Sequence, residues 1–237
     1  MRLFWTTALF AVVLLPQALQ SRQLEARSSL TIRGTLVTSS MVFDKPDAPV
    51  EQDRDHFNFV DNLLGVGIEY RLTLPGEDFY LTLSTEYCSK TNQNFSDVLK
   101  APVEQGIRFV PLELGADGVI PLSGDNFAMT MGGGLGLYYV QRIYGIGGVR
   151  SVTQKAPIGF GIHIESGFEY RFLNAFRFRT ELRFRDPEVI NENRFDQDVI
   201  TYKNTQIPVK NFNDSLGKSK IDVHGVAFSV SIVCDLN

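Results

Sequence analysis

Past residue 28 the chain alternates between polar and apolar side chains at every second position almost to its end. The alternation falls into eight segments: 28–42, 57–74, 79–90, 105–121, 126–143, 157–173, 175–190 and 220–236. A period of two is the mark of a β-strand whose two faces meet different surroundings. No helical period of useful length follows residue 25, and no low-complexity linker divides the chain. The pattern predicts one all-β domain over residues 28–237.

The connections sort by length. PGED (75–78), the LSGDN region (122–125) and Leu173–Asn174 are short and rich in turn residues, whereas 43–56, 91–104, 144–156 and 191–219 are long and polar. Tight turns at one end and long loops at the other, with an even strand number, is the plan of a transmembrane β-barrel. A soluble meander has no reason to sort its loops this way.

Alternation does not say which face is inside. A soluble barrel turns its apolar face inward, and a membrane barrel turns it outward. Three features favour the second. The apolar face is bulky: Leu64, Val66, Ile68, Tyr70 and Leu72 in one segment, Phe160, Ile162, Ile164, Phe168, Tyr170 and Phe172 in another. Eight strands enclose a space that such groups would overfill. Gly65, Gly67, Gly132, Gly134, Gly136, Gly159, Gly161 and Gly167 all lie on the polar face, where a crowded lumen needs small residues and a wetted surface does not. The charges on that face also match. Arg33, Arg71, Arg171, Arg177, Arg179, Arg183 and Arg185 stand against Glu69, Glu86, Glu113, Asp117, Glu165, Glu169 and Glu181. Buried charges must be paired, so a balanced set suits a closed lumen.

This accounts for FEYRFLNAFRFRTELRFR (168–185), where arginine and phenylalanine alternate. Arginines interleaved with aromatics can also grip nucleic acid. Here Lys+Arg is 23 against Asp+Glu 27, a net charge of −4, which does not suit a nucleic-acid partner. The arginines are expected to meet carboxylates inside the barrel, and the phenylalanines to face lipid. Tyr70, Phe79, Phe127, Tyr170 and Phe176 near the tight turns, and Tyr87, Tyr139 and Phe184 at the other end, are placed to form two aromatic girdles.

At the N-terminus, Arg2 precedes an apolar run from Leu3 to Leu15, then Pro16 and small or polar residues. The run is too short to span a bilayer as a helix and reads as a secretory signal peptide over residues 1–20, ending no later than 26. Cys88 and Cys234 fall at opposite ends of the strand map and are expected to stay unpaired.

The architecture resembles the small eight-stranded outer-membrane proteins of Gram-negative bacteria, the OmpA transmembrane domain, OmpX and OmpW type. The resemblance covers residues 28–237 and rests on strand plan rather than on a local motif. It implies an eight-stranded antiparallel up-and-down barrel in the bacterial outer membrane, with lipid and the barrel-assembly machinery as partners. Such chains usually close on an aromatic residue; this one closes SIVCDLN.

Little enzymatic chemistry is offered. His163 is in phase with the lumen near Glu165, His224 shares a face with Asp222 at the end of strand eight, and Ser89 is not on a neighbouring strand. The first long connection, DKPDAPVEQDRDH (44–56), has acids but lacks a calcium-loop ligand pattern. No catalytic residue, cofactor or metal site is expected. The expectation is a structural or loop-presenting surface protein with a closed, charge-paired lumen. The alternatives are a narrow channel for small or hydrophobic molecules and a soluble lipocalin-like carrier.

Overall fold

A computed structural model describes residues 27–73, 79–123, 126–215 and 217–236. The signal-peptide reading, the PGED turn and part of the LSGDN turn lie outside these residues. Eight strands close on themselves: β1 (Arg27–Val37), β4 (Leu63–Thr73), β5 (Phe79–Ser96), β6 (Ala101–Ser123), β7 (Phe127–Ile146), β10 (Ile158–Leu173), β11 (Phe176–Arg185) and β16 (Val226–Leu236). Around the ring the order is β1-β4-β5-β6-β7-β10-β11-β16 and back to β1, with every pair antiparallel. Closure removes the free edges that an open sheet of this length would expose.

The long connections are not plain loops. They form a cap at the end away from the tight turns. Its main sheet runs β3 (Phe57–Phe59), β2 (Met41–Phe43), β15 (Lys218–Asp222), β12 (Glu188–Arg194) and β9 (Val152–Lys155). The hairpin β13 (Val199–Tyr202) with β14 (Thr205–Pro208), the short β8 (Val149–Arg150) and the helical turns α1 (Glu51–Arg54) and α2 (Lys210–Ser215) complete it. The expected loops 91–104 and 144–156 instead prolong β5, β6 and β7 into hairpins. The cap has an apolar core of its own, with Tyr144, Phe195, Ile200, Ile207, Val209 and Phe212. Phe212 stacks on Tyr144 with centroids 4.4 Å apart. These side chains lack a period long enough to announce themselves in the sequence, because all but Tyr144 come from pieces a few residues long.

Four segments read from the sequence as single strands are broken between barrel and cap. The breaks fall at 38–40, 60–62, 186–187 and 223–225. Features of the chain mark three of them. Asn62 takes a left-handed backbone (φ 57°), and Pro187 cannot donate to a ladder. At Gly225 an added Cβ would lie 2.2 Å from the Ser39 carbonyl oxygen, so only glycine lets these two segments pass. The breaks before Met41 and Leu63 shift the alternation by one. Met41, Phe43, Phe57 and Phe59 therefore turn outward, whereas the inward face of the strands below them is carried by the odd-numbered Val37 and Leu63.

Within the barrel the faces are as charge balance requires. The bulky side chains, among them Ile68, Leu114, Leu135, Phe160, Ile164, Phe184 and Ile232, are exposed on the outside. The polar face is buried. The lipocalin-like alternative, which needs the bulky face inside, is therefore set aside. Cys88 is buried midway along β5, opposite Gly65, Cys234 is half-buried near the turn end of β16, and both are free.

Candidate functional site

The most unusual feature is the lumen. Its side chains alternate inward from strands of regular register, so each guanidinium meets carboxylates from other strands. Arg177, Arg179, Arg183 and Arg185 rise along β11 from the turn end toward the cap. Near the turn end Arg177 donates to Glu169 (2.8 Å), to Asp235 (2.5 Å) and to the Tyr80 hydroxyl (3.3 Å). Arg71 donates through Nε to Glu69 (2.6 Å) and pairs with Glu169 through Nη1. At mid-height Arg179 donates to Glu69 (2.8 Å), pairs with Glu181, and lies 3.6 Å from Asp117. Arg33 reaches Glu69 at 3.1 Å and Glu86 at 3.4 Å. Arg183 donates to Glu113 (2.6 Å), lies 2.8 Å from Glu181 and pairs with Glu165. At the top Arg185 forks onto Glu113 and Glu86, through Nε at 2.7 Å and Nη1 at 2.6 Å.

All the lumen charges named from the sequence are buried except one. Arg171 is about half exposed, with Asp235 4.0 Å away. Arg171 stands opposite Arg177 at the last regular pair of the β10–β11 ladder before its register shifts, at the turn-end mouth. With Arg171 outside, six buried guanidiniums face seven buried carboxylates. His163 is buried among them, its Nδ1 4.0 Å from Glu113. Glu69, Glu165 and Glu181 come close enough to frame a cation. Arg183 already contacts all three, so the position carries its counter-charge from the protein itself.

Above Arg185 the lumen changes character. Phe109 and Tyr138 stack nearly parallel, centroids 5.8 Å apart, with the Arg185 guanidinium 5.6 Å from the Phe109 ring. Tyr138 donates to Glu113 at 3.1 Å. Gly136 leaves the room this ring occupies, since a Cβ there would come within 2.6 Å of it. Leu63, Cys88, Ile107 and Val140 complete a dry layer. The sequence reading missed this layer, although its residues are in phase with the lumen charges on the same strands. Arg142 and Asp44 were missed as well: Arg142 donates to Asp44 at 2.5 Å and fastens the first connection over the mouth. Asn191 binds the β7 backbone on both sides, donating to the Val140 carbonyl at 3.0 Å and accepting from the Arg142 amide at 3.2 Å. It thereby joins the cap sheet to the barrel wall.

The chain has the fold of the small eight-stranded outer-membrane barrels. The structure of the outer membrane protein OprG from Pseudomonas aeruginosa superposes with a TM-score of 0.56 over 90% of this chain and 96% of that one, at 13% identity. Neisserial surface protein A (NspA) matches with a TM-score of 0.48, 10% identity and coverage of 89% and 99%. Ail, the attachment invasion locus protein of Yersinia pestis, gives 0.47, 11%, and 90% and 99%. At these identities the likeness is one of fold. No protein-family model matches the sequence, and no curated protein matches it.

In this outer-membrane type of barrel, His224 and Asp222 are the one close pair among the remaining candidates of the sequence. His224 Nδ1 lies 3.3 Å from Asp222 Oδ1 at the cap end of β16, while Ser89 is on β5, which does not neighbour β16. Burial holds the Asp222 carboxyl above its usual range despite the attraction of His224. His56 is exposed beside α1. One pocket of about 400 Å³ lies in the cap beside Glu192, Arg194 and Lys218, and another of about 340 Å³ at the turn-end mouth beside Tyr80, Arg171 and Arg177.

Proposed function

We propose that the chain is an integral outer-membrane barrel protein that carries a folded cap on the cell exterior, with a structural or surface-presenting role. The carrying observation is the inversion of faces: buried, cross-paired arginines and carboxylates inside, bulky apolar side chains outside. In water that outer face would be a large aggregation surface; in hydrocarbon it is the favourable one, where a single charge costs about 2–4 kcal/mol at mid-depth. OprG, whose fold this barrel resembles, is an outer membrane protein. On this reading residues 1–20, or up to 26, direct export and are removed, residues 28–237 form the barrel with its cap, and the barrel-assembly machinery inserts it among outer-membrane lipids. The dry Phe109–Tyr138 layer above the Arg185 fork supports a closed lumen rather than a passage for small molecules.

The test is gel mobility of the outer-membrane fraction with and without boiling in SDS. The expected result is a faster band without boiling, the sign of a closed detergent-resistant barrel. A soluble protein with no heat shift would overturn the reading.

A further inference from the structure

The outward surface is not the same all round at the junction of barrel and cap. Above β11 and β16 the outward positions of the cap sheet carry Glu188, Ile190, Lys220 and Asp222, charged but for Ile190. Above β1 and β4 they carry Met41, Phe43, Phe57 and Phe59. Met41 stands opposite Phe59 and Phe43 opposite Phe57 in the β2–β3 ladder, so the four form one block. Phe43 and Phe57 lie 5.4 Å apart by ring centroids, and Phe57 and Phe59 5.0 Å, edge to face. The block continues the apolar column of Ile68, Val66 and Leu64 on β4. Phe59 is 57% exposed, about as open as Ile68 at 48% in the belt below. A polar border lies on its far side. The Lys220 ammonium sits 5.1 Å above the Phe43 ring and 2.8 Å from Glu188.

We propose that Met41, Phe43, Phe57 and Phe59 form a second lipid-contact surface, a ledge seated against the acyl chains of the outer leaflet above the main belt. The inference rests on the membrane-barrel reading. Its grounds are continuity with the apolar belt, the aromatic composition that suits the bilayer interface, and a lysine whose stem covers the ring edge while its charge points to water. Between Leu64 and Phe59 the outward apolar column is broken only at the strand break, by the exposed Asp61 and Asn62. The consequence is an apolar girth that is taller on the β1–β4 side, so the barrel sits tilted or the leaflet rises there.

Single-tryptophan variants test this in bilayers whose acyl chains carry bromine. Trp5 is replaced by Phe, and Phe59→Trp and Phe57→Trp are compared with Ile68→Trp in the belt and Val98→Trp at a hairpin tip that is 91% exposed. The expected result is a loss of fluorescence for Phe59→Trp comparable with Ile68→Trp, and none for Val98→Trp. Quenching of Ile68→Trp alone would overturn the ledge and leave the barrel reading standing. A blue-shifted but unquenched Phe59→Trp would mean a protein covers the patch, and would also overturn it. Absence of quenching at both positions would overturn the membrane reading with it. Phe57→Trp gives the same decision should Phe59→Trp fail to fold.

Discussion

The lumen arginines are not equivalent, although the sequence presents them as one series. Arg179 is buried among Glu69, Asp117 and Glu181, and Arg171 lies at the mouth with one distant partner. Removing one partner of a buried ion cluster leaves uncompensated charge, which costs about 3–5 kcal/mol. Arg179→Met should lower the stability of the refolded protein by that order, and Arg171→Met by no more than about 0.5 kcal/mol. Urea unfolding in detergent micelles, followed by the heat-shifted band, compares the two. A second residue-scale effect lies in the cap. Arg150 donates to Glu104 through Nε at 2.7 Å and Nη2 at 2.5 Å, and these bonds hold the Glu104 carboxyl below its usual range. A depressed carboxyl contributes stability above its unfolded pKa and loses it as pH falls through the folded value. The protection of the β7–β8 hairpin amides, with exchange taken relative to the intrinsic rate at each pH, should therefore fall on acidification through the folded Glu104 value, and Glu104→Gln should abolish that pH response.

At the scale of elements, the chief event is the break between barrel and cap. Alternation over 28–42, 57–74, 175–190 and 220–236 reads as four unbroken strands, and the bends within them are made by contacts between segments distant in sequence. Gly225 shows the mechanism, because its need for a bare Cα comes from the Ser39 backbone and not from its own neighbours. Gly225→Ala must push that backbone aside, at a cost of about 1–3 kcal/mol. The cap should loosen first. Faster proteolysis within 191–219, with the heat-shifted barrel band retained, is the expected outcome, and unchanged proteolysis would show that the close approach is not maintained in the membrane.

At the scale of the whole molecule, two closures lie in series across the lumen: the cross-paired charges and the Phe109–Tyr138 layer above them. On the proposed closed-lumen reading, either alone is enough to block ion flow. Reconstituted protein should show no steady conductance in planar bilayers, and Phe109→Ala with Tyr138→Ala should not create one, since Arg183 and Arg185 still bind Glu113 beneath. A steady current in the double variant would mean that the charge cluster opens once the aromatic layer is gone.

The sequence by itself determined the barrel, its eight strands and the inward turn of its charges. These follow from a period of two, from a face too bulky to enclose, and from the need of buried arginines for nearby carboxylates. Each can be judged one strand at a time. The alternation put all fourteen charges on one face; burial leaves Arg171 at the mouth, where the β10–β11 ladder ends its regular register. The tertiary structure alone decided the cap, the dry layer and the outward turn of Phe43, Phe57 and Phe59. Apart from Tyr144 on β7, the cap core gathers side chains from pieces a few residues long, so no local period marks it. The aromatic ledge exists because two strand breaks shift the alternation by one, and what forces those breaks is the packing of backbone from opposite ends of the chain.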